Sequence, residues 1–181
     1  MKISRGYKCI LIGLLALVFL QPFLGMMKFS PSSDEITHLP SGYSYLKTGE
    51  IKLNIQHPPF VKLLAAVPLM FIHPNMPDIA KYESEWEFGK DFLFNSGNDA
   101  DQLMFWGRLM IVLLSVLLAF FIYRWASEMY SPKIGLATLF LYAFMPNIIA
   151  HAEFVTTDIA ISAFSFITLY WLWKYSKTTL P

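Results

Sequence analysis

The chain has 181 residues, 55% hydrophobic and 15% charged, where soluble domains average about 45–50% apolar and about 25% charged. A net charge of +1 provides no field for a nucleic acid, and a mean hydropathy of +0.46 points to the membrane. The lone Cys9 has no partner for an internal disulfide and suits packing better than thiol chemistry.

A basic tail, Lys2, Arg5 and Lys8, opens the chain without a single acid. A bilayer crossing needs about 20 apolar residues, and residues 9–27 supply them, broken only by Gln21-Pro22. Gly25-Met26-Met27-Lys28 makes a poor cleavage site, so the expectation is an uncleaved anchor.

A long segment, 28–103, follows with ten acids against six lysines. Ser32-Ser33 can cap a helix whose first turn carries Asp34 and Glu35, where acids suit the helix dipole. Ile36, Leu39, Tyr43 and Leu46 recur at helical spacing on one face, and Pro40 predicts a short or kinked helix. His57-Pro58-Pro59 reads as an extended stop. Residues 60–72 are apolar but too short to span, which predicts an interfacial or re-entrant helix. Residues 74–103, rich in Gly, Asn and Asp, read as a loop.

Three further spans are predicted at 104–125, 134–149 and 159–173, the last with Trp171 and Trp173 as interfacial anchors. The chain thus reads as an all-α membrane protein with about four transmembrane helices. The positive-inside rule agrees with that count. The tail, the 124–133 turn and the 174–177 end are net positive, and segments 28–103 and 150–158 are net negative. The expected topology has a cytoplasmic N-terminus and the acidic loop outside.

Several charged groups then share the outer membrane face. Asp34 and Glu35 are either a general base with its helper or a solvated pair at a helix start. His57 is either an imidazole held rigidly for a phosphate or carboxylate, or a loop residue bonded to backbone. Lys62 snorkels to the interface or meets a lipid phosphate. Arg108, one turn inside the second span, faces a partner or ligand, or snorkels. Asp158 caps the fourth span or joins the site, with His151 and Glu153 nearby. Asp34 and His38, four residues apart, can hold a divalent cation or simply hydrogen-bond, and the four histidines lack zinc spacing. Cations and carboxylates around a lipid-exposed cleft suit a phosphate-bearing lipid.

Taken in order, Asp34-Glu35-Ile36-Thr37-His38, Gly49-Glu50, His57-Pro58-Pro59-Phe60-Val61-Lys62, Trp86-Glu87-Phe88-Gly89, Gly107-Arg108, Pro146-Asn147 and Thr156-Thr157-Asp158 resemble the glycosyltransferases that use polyprenyl-phosphate sugars. These include the protein O-mannosyltransferases and the lipid A aminoarabinose transferases. The resemblance implies the C-type glycosyltransferase fold, with amphipathic helices in the first outer loop. It implies Asp34 as the base, Glu35 as an aid to the acceptor, and His57, Lys62, Arg108 and Asp158 as substrate contacts. It also implies a hydroxyl-bearing acceptor and a plasma-membrane location. His57 stands where some relatives carry lysine, and Gln56 where they often carry an acid. Relatives are longer and cross the membrane more often, so residues 1–181 are expected to be an N-terminal portion that inserts without transferring sugar alone. The competing expectation is a non-enzymatic membrane protein, a transporter piece or assembly subunit. In it Arg108 pairs with Asp158, and Asp34-Glu35 is a surface cap.

Overall fold

The computed structural model describes residues 5–179, so Lys2 of the basic tail lies outside the described residues. Helix α1 (Arg5–Met26) is apolar and carries Pro22 within its length. Helix α2 (Ser33–Thr48) then runs for 16 residues and ends at Gly49, whose φ of 76° is the left-handed turn that glycine tolerates. Short helices α3 (Pro59–Ala66) and α4 (Leu69–Ile72) follow. A 3₁₀ turn (Ile79–Lys81), α5 (Glu85–Lys90) and a π turn (Asp91–Asn95) lead to the 30-residue α6 (Ala100–Met129). Helices α7 (Pro132–Ala143), α8 (Pro146–Ala152) and α9 (Asp158–Thr179) complete the described chain.

Helix α6 is the hub: α1, α7, α9 and α3 all pack against it. Helices α1 and α6 are long and apolar enough to cross a membrane, and α7 with α8 makes a third such stretch, bent by 65°. The bend replaces the straight span expected at 134–149. Pro146 has no N–H and disfavours helical geometry at Met145, which is extended (φ −81°, ψ 113°). The break leaves carbonyls without helical partners, and Gln21 of α1 donates to one of them, Ala143 O, at 3.0 Å. Helix α9 has 22 residues but is not among the candidate spans. Its uncharged run between Asp158 and Lys174 is only 15 residues, short of a crossing, so the expected count of four spans is not shown.

The segment between α1 and α6 is more ordered than its composition predicts. Leu39 and Tyr43 of α2 are buried, with Ile36 and Leu46 packed beside them, as the spacing requires. Burial of each large side chain contributes about 1.5–3 kcal/mol. Pro40 does not end α2. It removes one N–H, which frees the Ile36 carbonyl from its helical partner. Gly89 of α5 packs against that carbonyl so closely that a β-carbon there would collide with it. The apolar stretch at 60–72 is two helices, broken at Val67-Pro68. Residues 74–103 were expected as a loop, yet Phe88, Phe92 and Leu93 are wholly buried. Phe92 packs against Tyr43 with ring centres 5.5 Å apart. The 88–92 spacing of four put both rings on one helical face.

Candidate functional site

The adjacent acids of α2 point in different directions, as neighbours about 100° apart on a helix must. Glu35 is wholly buried and Asp34 is exposed. Glu35 Oε1 accepts from Arg108 Nε at 2.7 Å and from the Val155 N–H at 2.9 Å. Its Oε2 accepts from Arg108 Nη2 at 2.7 Å and from the Ser32 N–H at 2.9 Å, the returning half of a capping box. Arg108 Nη1 donates to Met26 O (2.6 Å) and Phe29 O (2.8 Å), and Nη2 also to Ser30 O (3.0 Å). All five guanidinium N–H donors are therefore engaged. The pair clasps α2 to α6, to the end of α1 and to the α8–α9 connection. Arg108 pairs with Glu35 and not with Asp158, the partner expected in the non-enzymatic alternative.

His38, one turn on, is buried and its Nδ1 lies 2.9 Å from Val155 O. Burial lowers its pKa against smaller opposing effects of the Val155 bond and Asp34. The ring is thus neutral, with Nδ1–H as the donor. Val155 holds α2 twice, through its N–H and its carbonyl. The His57 ring is exposed and packs edge-on to His38 at 5.1 Å.

Lys62 does not snorkel. It is 0% exposed, and its ammonium turns inward to Asn54 O, Asn54 Oδ1 (2.9 Å), His57 O (2.9 Å) and Tyr45 Oη (3.3 Å). These oxygens offer it a closer set of acceptors than the interface does. Burial lowers its pKa from 10.5 to about 8, against the opposing charge of Glu85. Below about 8 the buried charge weighs against the fold in full, and that burden falls as pH rises toward 10.5. The stability of the wild type relative to Lys62→Met is therefore expected to increase between pH 8 and pH 10.5. Thermal unfolding in detergent at stepped pH checks this. A difference that is flat or falls with pH contradicts the assignment.

Asp34 borders a cavity of ≈ 330 Å³ with Ser33, Ala150, His151, Phe154 and Thr156. His151 Nδ1 lies 3.4 Å from Asp158 Oδ2, both side chains about half exposed (49% and 55%). Asp158 stands at the start of α9, beside this cavity's Thr156. An apolar groove of ≈ 200 Å³, between Pro58, Phe60 and Val61 on one side and Ala160, Ile161 and Phe164 on the other, flanks Thr157. A further hollow of ≈ 400 Å³ at the C-terminal end of α1 and the N-terminal end of α6 meets Arg108, Lys28 and Asp101. Among the described residues, no three or more His, Cys, Asp or Glu side chains are grouped to hold a metal ion.

The geometry thus places Asp34 and His151 on one cavity, sets Asp158 beside His151, and packs His57 edge-on to His38. It gives Glu35 to Arg108 and turns Lys62 inward. Residues 100–180 match the dolichyl-phosphate-mannose-protein mannosyltransferase family. The match bears out the resemblance to membrane glycosyltransferases seen in the sequence. No curated protein and no solved structure matches the chain. The family match covers α6 to α9, with Arg108, His151, Val155 and Asp158, and leaves out Asp34 and His57. The clasp on Arg108 and both Val155 bonds dock the unmatched half onto the matched one. The Val155 anchor and the Asn54–Glu85 bridge (3.2 Å) escaped sequence reasoning. The left-handed φ of 52° at Asn54, a residue that tolerates it, is a trace that only the backbone reveals.

Proposed function

We propose that this chain is part of a glycosyltransferase that moves a sugar from a polyprenyl-phosphate donor to a hydroxyl acceptor at the outer face of the plasma membrane. The observation that carries the reading is the exposed carboxylate of Asp34 at a cavity shared with His151 of the family-matching segment. Asp34 takes the proton of the acceptor hydroxyl. The oxygen attacks the anomeric carbon, the bond from that carbon to the phosphate oxygen breaks, and the phosphate leaves with the electron pair. Asp158 and His57 contact the substrates, and the apolar groove beside Thr157 suits the first isoprenoid units. Glu35 and Arg108 act through position, by fixing the helix that presents Asp34. The fold class is the C-type glycosyltransferase fold, with α9 as a further span.

A polyprenyl phosphate bearing a photoreactive first isoprenoid tests the donor site. In nanodiscs it is expected to label peptides containing Phe60 and Ile161. Labelling confined to other helices contradicts the reading. Orientation, with the N-terminus cytoplasmic, is tested by single cysteines at the exposed positions Glu83 and Lys177 in a Cys9→Ser background. An impermeant reagent on intact cells should modify Glu83→Cys alone, and the reverse pattern inverts the topology.

A further inference from the structure

A lysine that is wholly buried outside the spanning helices, with its charge turned away from the cleft, calls for a role of its own. We propose that Lys62 is a positioning residue whose buried ammonium ties down the 53–57 loop and so holds the His57 ring against His38 at the mouth of the cleft. Its functional consequence rests on His57 being a donor contact, whereas the clamp itself stands apart from that reading.

The ammonium has three N–H donors and meets four oxygens, three of which belong to the loop: Asn54 O, Asn54 Oδ1 and His57 O. The fourth, Tyr45 Oη, belongs to α2, and Tyr45 in turn donates to Leu53 O of the same loop. The base of the clamp is rigid. The backbone of α3 at Lys62 lies so close to Gly42 of α2 that no β-carbon fits between them.

Asn54 needs such a hold. Its φ of 52° is left-handed, and its side-chain amide donates to Thr37 Oγ1 (3.3 Å) and to Glu85 Oε1 of α5 (3.2 Å). The charged and titratable groups facing Lys62 are Glu85 from α5, Tyr45 and His38 from α2, and His57 from the loop. Beyond Asn54 the loop is exposed from Ile55 to Pro58. The Lys62 bond to the His57 carbonyl therefore fixes the last loop residue before Pro58-Pro59, which lead into α3 and have no N–H of their own to donate.

The test uses the whole chain in nanodiscs and diethyl pyrocarbonate, with modification of each histidine followed by mass spectrometry. His73, exposed at the end of α4, is the internal reference. In the wild type His57 is expected to react several-fold more slowly than His73. In Lys62→Met it should rise to the rate of His73, which stays unchanged. Equal rates in the wild type overturn the proposal, and so does an unchanged His57 rate in folded Lys62→Met. If Lys62→Met does not fold, the wild-type ratio decides, together with Asn54→Ala, in which a smaller rise is expected and no rise overturns the clamp. Binding of polyprenyl phosphate separates positioning from general support. His57→Ala and Lys62→Met should each weaken it, and the double variant should be no weaker than His57→Ala. Losses that multiply overturn the positioning role. A wild type that binds no polyprenyl phosphate counts against the donor reading, while the histidine rates still decide the clamp.

Discussion

Replacing Arg108 by methionine is expected to destabilise the folded protein by about 3–5 kcal/mol, the usual effect of stranding one member of a buried ion pair. Glu35 is 0% exposed and Arg108 2%, so neither charge has water to fall back on. The loss also removes the donors of three carbonyls, Met26, Phe29 and Ser30, at the α1–α2 turn. Against a total stability of about 5–15 kcal/mol this is a large fraction. The double change Arg108→Met with Glu35→Leu removes both charges, and it should recover much of the loss, because no lone charge stays buried. Unfolding in mixed micelles, followed by circular dichroism, measures both variants. A single Arg108→Met within about 1 kcal/mol of the wild type would show that the clasp does not hold α2 in place.

Asp34→Asn should behave in the opposite way. The side chain is exposed and at the cavity edge, so stability should stay within about 0.5 kcal/mol, as for most surface changes. In the full-length parent enzyme, sugar transfer should fall by about 100- to 10,000-fold, the span that loss of a general base covers. The amide keeps the shape and cannot accept the proton. Glu35→Gln, its neighbour, should lose activity only as far as it loses folded protein. Transfer from a labelled polyprenyl-phosphate sugar to a hydroxyl acceptor, read beside unfolding, separates the two. Near-normal transfer by folded Asp34→Asn would falsify the assignment of the base.

The contrast between Asp34 and Glu35 marks how far a sequence can be read. Helical geometry already required the two carboxylates to face different ways. Which one turned inward depended on the rotation of α2 against α6, and that is set by Leu39 and Tyr43 finding their places in the core. The apolar runs of α1 and α6 were legible because length and composition alone define them. The bend between α7 and α8 falls at Pro146, inside the stretch 134–149 that reads as one span, because a proline marks a break without giving its angle. Phe88, Phe92 and Leu93 were hidden by the polar residues around them in a helix of only six residues and a π turn. Val155 left no trace, because every residue offers the same N–H and carbonyl and only the fold selects this one to hold Glu35 and His38.

The clasp also imposes a timetable on biogenesis. Val155, which donates to Glu35, lies 120 residues further along the chain. At about 5–20 residues per second, its synthesis trails that of Glu35 by roughly 6–24 s. Over that interval the carboxylate gains Arg108 only 73 residues after its own synthesis and Val155 last of all, whereas every acceptor of Arg108 precedes it in the chain. Docking of α2 is therefore among the last events in assembly. A nascent chain halted between Arg108 and Val155 should therefore expose α2 to proteases more readily than the finished chain does.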